Sequence, residues 1–314
     1  MSAPARSLST ARGVLTLGGR PWLMGIVNAT PDSFSDRGIY RTLDQRVELA
    51  RSLLEAGADV IDIGGESGVT NRPAVEPSEE IERVVPLIEA VAGGLGALVS
   101  IDTYKPAVAR AAIAAGAAIV NDPSGLHNRA IADVCAHTGA GLIVAHSRAA
   151  PKQKLLDRAL DGRALSDVIS FLEERIAIVT GRGVAFEQLM LDPGPDLGKT
   201  PSQTVKVLRG FRALHALERP LLLAVSRKDF VGAITGRSPR MRLPGTLAAI
   251  GHGTDAGAHV LRVHDVEQTV EFLAVRATLN GELEIDRELR LADELRWEQG
   301  TEPAREAPAA GQSR

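Results

Sequence analysis

The sequence predicts one α/β domain of the (β/α)8 TIM-barrel class, with a short N-terminal β-hairpin and a charged C-terminal tail. Eight short apolar runs alternate along the chain with segments in which apolar residues recur at helical spacing, the order expected of repeated βα units. Residues 221–225 are apolar throughout, which is typical of a parallel strand buried on both faces. A length of 314 residues lies within the range of barrels that fold as one unit.

The elements can be assigned in order from the N-terminus. Residues 1–12 are rich in Ser, Ala and Arg and are expected to be flexible, whereas residues 13–19 predict a small hairpin that covers the bottom of the barrel. The barrel strands are predicted at residues 22–27, 59–63, 98–101, 118–120, 141–145, 188–191, 221–225 and 259–263. The barrel therefore spans residues 13–280, and residues 281–314 are expected to form a charged helix followed by a disordered tail.

Composition and charge exclude several classes of protein. The net charge is −3 and the pI is about 6.2, so neither nucleic acid nor a membrane surface is an expected partner. No apolar run reaches the ~18 residues of a membrane span, and residues 1–12 lack the apolar segment of a signal peptide. Cys135 is the only cysteine, which rules out an intramolecular disulfide and fits a reducing compartment. We therefore expect a cytoplasmic protein.

Polar residues follow most of the predicted strands at the point where each strand ends. In a (β/α)8 barrel these ends meet at one rim, where active sites of this fold are built. The residues that would meet there are Asn28, Asp102, Asn121, Asp192, Lys228, Arg262 and His264. Helix capping accounts for an isolated Asp or Asn at such a position, but it does not account for Lys228, Arg262 or His264. The set predicts an enzyme for a polar, anionic small molecule.

These residue types suit two different parts of a ligand. Asp102, Asn121 and Asp192 supply acceptors and an amide for a flat heterocycle rich in N–H groups, and Lys228 adds a donor for a ring carbonyl or ring nitrogen. Arg262 and His264 lie two residues apart on a strand and are expected to point the same way. Together with Asn28 and Mg²⁺ they would suit a diphosphate.

Two βα connections are unusually long, at residues 29–42 and 64–77. A mobile lid is one interpretation, and elaboration of the surface is the other. No glycine-rich loop of the Walker or Rossmann type occurs, and no histidines or cysteines have the spacing of a zinc site.

Seven sequence blocks resemble the dihydropteroate synthase family of folate biosynthesis. They lie at residues 24–36, 62–67, 100–106, 120–122, 191–194, 226–228 and 262–264. The first contains Asn-Ala-Thr-Pro-Asp-Ser-Phe-Ser-Asp from Asn28, which is highly specific by itself. The resemblance covers about residues 13–280 and implies that 6-hydroxymethyl-7,8-dihydropterin diphosphate condenses with 4-aminobenzoate, giving dihydropteroate and diphosphate.

The resemblance also assigns roles to individual residues. It implies that Asn28 is a Mg²⁺ ligand, that Asp102, Asn121, Asp192 and Lys228 bind the pterin, that Arg262 and His264 bind diphosphate, and that Ser226 contacts the aminobenzoate side. Asp102, Lys228, Arg262 and His264 are thereby implied in catalysis. Thr70 and Arg72 are the best candidates for the family's substrate-binding Thr and Arg. A homodimer through the outer helices and inhibition by sulfonamides are further expectations.

The chain departs from the family pattern at several positions. Residues 68–71 interrupt the usual Glu-Ser-Thr-Arg-Pro-Gly run, and Pro123 follows Asn121-Asp122, where a branched apolar residue is common. Asp196 stands where a glycine is usual and would place a new carboxylate near the pterin floor or the aminobenzoate entrance. These departures leave open a divergent paralogue with weak or altered activity. A methyltetrahydrofolate-binding methyltransferase barrel and a non-catalytic pterin-binding module are the remaining alternatives.

Overall fold

The computed structural model describes residues 3–30, 42–68, 70, 73–153 and 155–297, and their central feature is a parallel eight-stranded barrel. Its strands are β3 (Trp22–Asn28), β4 (Val60–Gly64), β5 (Val99–Asp102), β6 (Ile119–Asp122), β7 (Gly141–Ala145), β8 (Leu189–Asp192), β9 (Leu222–Leu223) and β10 (Val260–Val263). Neighbouring strands pair in the order β8-β7-β6-β5-β4-β3-β10-β9. A parallel bridge between Leu191 and Leu221 joins the two ends of this order and closes the barrel. The predicted fold class is confirmed.

Helices surround the barrel in the expected alternation. They are α1 (Leu43–Glu55), α2 (Pro77–Ile88), α3 (Pro106–Ala114), α4 (Ala130–Thr138), α5 (Ala164–Gly181), α6 (Pro201–Arg209), α7 (Asp229–Thr235), α8 (Leu243–Asp255) and α9 (Val266–Leu279). Start signals account for several of them, since Thr42 caps α1 in a capping box with Gln45 and Pro106 opens α3. The connection from β9 to β10 carries two helices, α7 and α8, where a regular βα unit has one. The seventh barrel strand is shorter than predicted, since β9 comprises only Leu222–Leu223 of the predicted residues 221–225.

The bottom of the barrel is covered by an antiparallel hairpin of β1 (Ala3–Thr10) and β2 (Gly13–Gly19). The expectation of a flexible segment over residues 1–12 was wrong for β1, because its backbone groups pair with β2. Leu8 and Leu17 are fully buried and pack in one cluster with Met24, Val60 and other side chains of the lower barrel interior. The hairpin thus keeps water from the lower end of the barrel.

Side chains inside the barrel change from apolar to polar between bottom and mouth. Along β4, Val60 belongs to the apolar cluster at the bottom, while Ile61 and Ile63 face the helices. Strand alternation places Asp62 and then Gly64 on the same side as Val60, toward the barrel axis. Asp62 is 0% exposed, so a carboxylate lies in the middle of the barrel directly above the apolar layer.

The chain divides into two compact units, Met1–Leu273 and Ala274–Arg314, and α9 contributes to both. Within the second unit, Arg276 and Glu282 form an ion pair of 3.0 Å. The C-terminal helix predicted after residue 280 is absent from residues 280–297, apart from a 3₁₀ turn at Asp293–Leu295. The tail from Glu298 lies outside the described residues.

Two further observations concern side chains and helices far from the mouth. Cys135 lies in α4 and is fully buried, and burial raises the pKa of its thiol to about 12. Among the helices that the structure describes, none is both long and apolar enough to cross a membrane.

Candidate active site

The predicted site residues that the structure describes, Thr70 aside, lie at the carboxyl ends of the barrel strands. Asn28 ends β3, Asp102 ends β5, Asn121 lies in β6, Asp192 ends β8, Ser226 and Lys228 follow β9, Arg262 lies in β10, and His264 follows β10 directly. Thr70 is exposed in the connection between β4 and α2. Arg72 lies outside the described residues, as does the Pro-Asp-Ser-Phe-Ser-Asp segment after Thr30. The common rim follows from the parallel order of the strands, because all eight point the same way.

Arg262 joins two carboxylates at the centre of this rim. Its Nε donates to Asp62 Oδ2 at 2.6 Å, and its Nη2 donates to Asp102 Oδ2 at 2.7 Å. Asn121 Nδ2 donates to the same oxygen of Asp62 at 3.3 Å. The second oxygen of Asp62, Oδ1, is buried without a hydrogen-bond partner among the described residues. The four side chains form one polar network on three neighbouring strands and β10.

Asp62 is the residue of this network that the strand-end argument missed. It lies inside β4, two positions before the strand ends, and is therefore not one of the residues that follow or end a strand. A signal was present, because Asp62 is a carboxylate in the middle of an otherwise apolar strand. A charge in such a place is retained only with a partner, and here the partner is Arg262.

The electrostatics of the network favour a permanent cation, Arg262, beside one carboxylate, Asp102, that is reluctant to ionise. Burial raises the pKa of Asp102 to about 7; Arg262 and Lys228 act against this shift, and Asp62 reinforces it. Burial opposes the charge of Arg262, yet the pKa of its guanidinium is raised above its ordinary value by Asp62 and Asp102. Arg262 therefore stays charged at any physiological pH, while the network can take up or release a proton at Asp102.

His264 forms a separate pair with Ser226, whereas Arg262 pairs with Asp62 and Asp102. The Ser226 hydroxyl accepts a hydrogen bond from the backbone N–H of His264 (3.2 Å) and lies 2.9 Å from its Nδ1. The hydroxyl proton is then donated to Nδ1, which leaves the ring proton on Nε2. Burial lowers the pKa of His264 to about 3, with Arg227 and Arg262 adding to the shift. With this pKa, His264 is a neutral N–H donor near neutral pH.

Asp192 and Lys228 form the side of the rim opposite β4 and β5. Asp192 is 5% exposed, and its Oδ1 accepts a hydrogen bond from the backbone N–H of Gly194 at 2.7 Å. Burial raises the pKa of Asp192, and the Gly194 N–H and the charge of Lys228 oppose that rise. The charge of Lys228 also lowers the pKa of Asp102 and of His264, so its ammonium group lies near both of them.

Gly194 is required by the shape of the loop after β8. Its φ is +62°, and a Cβ at this position would lie 2.2 Å from the carbonyl oxygen of His146. No side chain fits at that distance, so glycine is the residue that lets the loop turn back toward the rim and donate to Asp192.

The two ends of the long connection between β4 and α2 are joined at the mouth. Glu66 Oε2 accepts from Lys105 Nζ at 2.5 Å and from the backbone N–H of Val75 at 2.8 Å. Lys105 Nζ also donates to Glu80 Oε2 at 2.5 Å, and Lys152 Nζ lies 3.1 Å from Glu66 Oε1. Although burial disfavours the ionised form of Glu66, these hydrogen bonds lower its pKa. The contact between Glu66 and Val75 fixes the two ends of the connection to each other, and movement of the connection as a lid stays a prediction.

The fold and this rim define a barrel enzyme that handles a polar small molecule with buried carboxylates, an amide and fixed donors. The family model described as pterin-binding enzyme matches residues 24–264, from within β3 to the residue after β10, and the chain belongs to this family. A dihydropteroate synthase of Escherichia coli is 38% identical over 262 residues, which are 83% of this chain and 93% of that protein.

Solved structures agree with this assignment. The dihydropteroate synthase of Xanthomonas albilineans with 4-aminobenzoic acid has a TM-score of 0.80 and 38% identity, and the match covers 88% of this chain and 99% of that one. A complex of the Xanthomonas albilineans enzyme with 7,8-dihydropteroate has a TM-score of 0.75 and 38% identity, covering 85% and 96% of the two chains.

Proposed function

We propose that this chain is a dihydropteroate synthase, a transferase of folate biosynthesis. The C–O bond between the methylene of 6-hydroxymethyl-7,8-dihydropterin diphosphate and its diphosphate breaks, and diphosphate leaves with the electron pair. The amine nitrogen of 4-aminobenzoate forms the new C–N bond and loses a proton. The observation that carries the proposal is the meeting of Asp102, Asn121, Asp192, Lys228 and Arg262 at one rim.

The pterin ring is the part of the substrate that the carboxylates and the amide fit. A pterin edge presents N–H donors side by side, and a buried carboxylate accepts such a pair with defined direction. Asp192 offers Oδ2 beside the Oδ1 already bound by Gly194, and Asn121 is 5% exposed on the neighbouring part of the rim. Lys228 would donate to a ring carbonyl or ring nitrogen. Burial raises the pKa values of Asp102 and Asp192, and N–H donors from the ring would replace the hydration that these carboxylates lose by burial.

Charge develops in opposite senses at the two ends of the breaking bond. Departure of diphosphate leaves positive charge on the pterin methylene, which ionised Asp102 would stabilise. Arg262 and the Nε2–H of His264 would stabilise the leaving diphosphate, and His264 would gain a proton more readily once the anion lies beside it. No covalent nucleophile is needed. Exclusion of water matters more, because water would otherwise capture the methylene carbon in place of the amine.

Magnesium is the metal that this rim would accept. Among the described residues no group of three His, Cys, Asp or Glu side chains has the arrangement of a metal cage. A Cβ on Gly64 would lie 3.8 Å from Asn28 Oδ1 and 3.9 Å from Asp102 Oδ2, so glycine leaves the space between these oxygens open. Mg²⁺ prefers hard oxygen ligands and commonly combines one protein ligand with phosphate oxygens and waters. Asn28 would hold the ion, which would supply Lewis-acid stabilisation of diphosphate.

The proposal extends to the surroundings of the enzyme. Family resemblance supports a homodimer, and the composition supports a cytoplasmic location with small molecules rather than nucleic acid or membrane as partners. Thr70 and Arg72 remain candidates for substrate contacts from the connection between β4 and α2.

A direct assay tests the proposal. Purified protein, Mg²⁺, the pterin diphosphate and 4-aminobenzoate are incubated, and diphosphate and dihydropteroate are both quantified. We expect equal amounts of the two products, because an active site that excludes water couples departure of diphosphate to attack by the amine. Chelation of Mg²⁺ and the variant Lys228→Ala should each suppress both products, with weaker pterin binding in the variant.

Different failures would have different meanings. Pterin binding without any product would favour the catalytically weak paralogue, and diphosphate release without dihydropteroate would contradict the proposed role of the amine. Methyl transfer from methyltetrahydrofolate, with no reaction of the pterin diphosphate, would replace the proposal with the methyltransferase alternative.

A further inference from the structure

Asp196 adopts a backbone conformation that few L-amino acids tolerate. It follows β8 by four residues and has a φ of +62°. Asp and Asn are among the non-glycine residues that occur in this left-handed region, and most others are rare there. Both oxygens of its carboxylate accept hydrogen bonds from protein groups, so the carboxylate serves the protein rather than standing open to a substrate.

The carboxylate of Asp196 connects the loop after β8 with two helices. Oδ1 accepts from the hydroxyl of Thr204 in α6 at 3.0 Å, and the backbone N–H of Asp196 donates to that hydroxyl at 3.1 Å. Oδ2 accepts from the backbone N–H of Phe230 in the first turn of α7 at 3.1 Å. Lys228 occupies the N-cap position of α7 and makes no capping hydrogen bond with its own side chain. Asp196 therefore provides the cap from a different part of the chain.

We propose that Asp196 is a positioning residue that fixes Lys228 relative to Asp192. The inference rests on the proposed function, in which both of these residues contact the pterin. Asp192 lies four positions before Asp196, and Lys228 lies two positions before Phe230, so the single contact to Phe230 ties the two sides of the pterin site together. A glycine at position 196 adopts the same backbone angle but offers no carboxylate to α7. This chain has a fixed connection where the family pattern has a residue without a side chain.

Because the φ of Asp196 is positive, a glycine at this position can test positioning of Lys228 separately from stability of the fold. Asp196→Gly removes the cap but also relieves the left-handed strain, so the midpoint of thermal unfolding should change little. Affinity for the non-reacting pterin-6-carboxylate, measured by calorimetry, should fall roughly fivefold, the size of one lost cap. Asp196→Asn keeps the angle and one acceptor and should restore most of the affinity.

Asp157→Gly is the matched control. Asp157 caps a 3₁₀ turn at Arg158–Leu160 by accepting from the backbone N–H of Ala159 at 2.8 Å, and it contacts none of the residues at the rim. Its loss should lower the unfolding midpoint and leave pterin affinity unchanged.

A double-mutant cycle shows whether Asp196 acts through Lys228. In the Lys228→Ala background, Asp196→Gly should weaken pterin-6-carboxylate binding by less than about twofold, since the group that it positions is gone. A fivefold loss in both backgrounds, or no loss in the wild-type background, would overturn the inference. If the wild-type protein itself does not bind the pterin, the proposed function fails first, and the two failures are therefore distinguishable.

Discussion

The bottom of the barrel and its mouth both bury charged side chains, and they stabilise them in different ways. At the bottom, Arg219 is 5% exposed and donates to the backbone carbonyl oxygens of Leu189 (3.1 Å), Ser7 (2.7 Å) and Glu187 (3.3 Å). At the mouth, Arg262 donates to the side chains of Asp62 and Asp102.

The hydrogen-bond partners of the two arginines explain why the bottom of the barrel is fixed and the mouth can bind a ligand. Backbone carbonyls are fixed by the strands and the hairpin, so the contacts of Arg219 are permanent and hold β1 against the barrel. Carboxylates can exchange one donor for another, and one oxygen of Asp62 has no partner within the described part of the chain. The polar groups at the mouth are satisfied by one another only in part, which leaves them able to bind a ligand.

Arg262→Ala should have the largest effect of the substitutions that test this comparison. Removal of the guanidinium leaves Asp62 and Asp102 buried together, so they should take up a proton and lose their function as a charged pair. We expect kcat/KM for diphosphate release to fall about 1,000-fold, with the far-UV circular dichroism unchanged. Asp62→Asn keeps the shape of the side chain, and it should lower kcat/KM for diphosphate release about tenfold. Full activity of Arg262→Ala would remove Arg262 from the reaction.

Arg219→Met tests the other end of the barrel. The substitution keeps the approximate length of the side chain but removes the donor that serves the carbonyl oxygens of Ser7, Glu187, Leu189 and Glu218. The free energy of unfolding should fall by about 1–3 kcal/mol, measured by urea denaturation. Both Michaelis constants should stay within about twofold of the wild-type values, because no contact at the mouth changes. A loss of activity at unchanged stability would show that the two ends are not independent.

A proton linkage at Asp102 should make pterin affinity depend on pH. Its pKa is raised from 3.8 to about 7 in the folded protein, so its contribution to stability is full below pH 3.8 and is lost as the pH rises through about 7. Pterin binding needs the ionised carboxylate. Affinity for the pterin should therefore rise with pH, by about tenfold between pH 6 and pH 8.

Calorimetry in two buffers with different ionisation enthalpies measures this linkage. Binding of pterin-6-carboxylate at pH 6 should release close to one proton from the wild-type protein and none from Asp102→Asn. Equal proton release from both proteins would assign the linkage to another group.

The positions of the rim residues could be predicted because they follow from strand direction alone. Asn28, Asp102 and Asp192 each end a strand, and parallel strands bring such residues to one edge without further information. Their partners could not be predicted in the same way. The pairing of Arg262 with Asp62 depends on the stagger between β10 and β4, which are separated by β3 and have no direct register in the sequence.

The wrong predictions for the two ends of the chain, residues 1–12 and the segment after residue 280, have a common physical cause. The sequence of β1 is polar, and its strand exists because β2 and the barrel bottom provide partners that local composition does not reveal. The segment after residue 280 has helical spacing of charges but exposes its apolar residues, including Leu289 and Trp297. Helical spacing without a surface on which to bury an apolar face is insufficient to form a helix.

The location of Cys135 makes the chain well suited to site-specific labelling. Its thiol is buried in α4 and stays protonated at neutral pH, so maleimide reagents should leave it unmodified. A cysteine introduced at the exposed Thr70 would then be the single reactive thiol of the protein. A fluorophore attached there would follow, in real time, how the connection above β4 responds when a pterin enters the barrel.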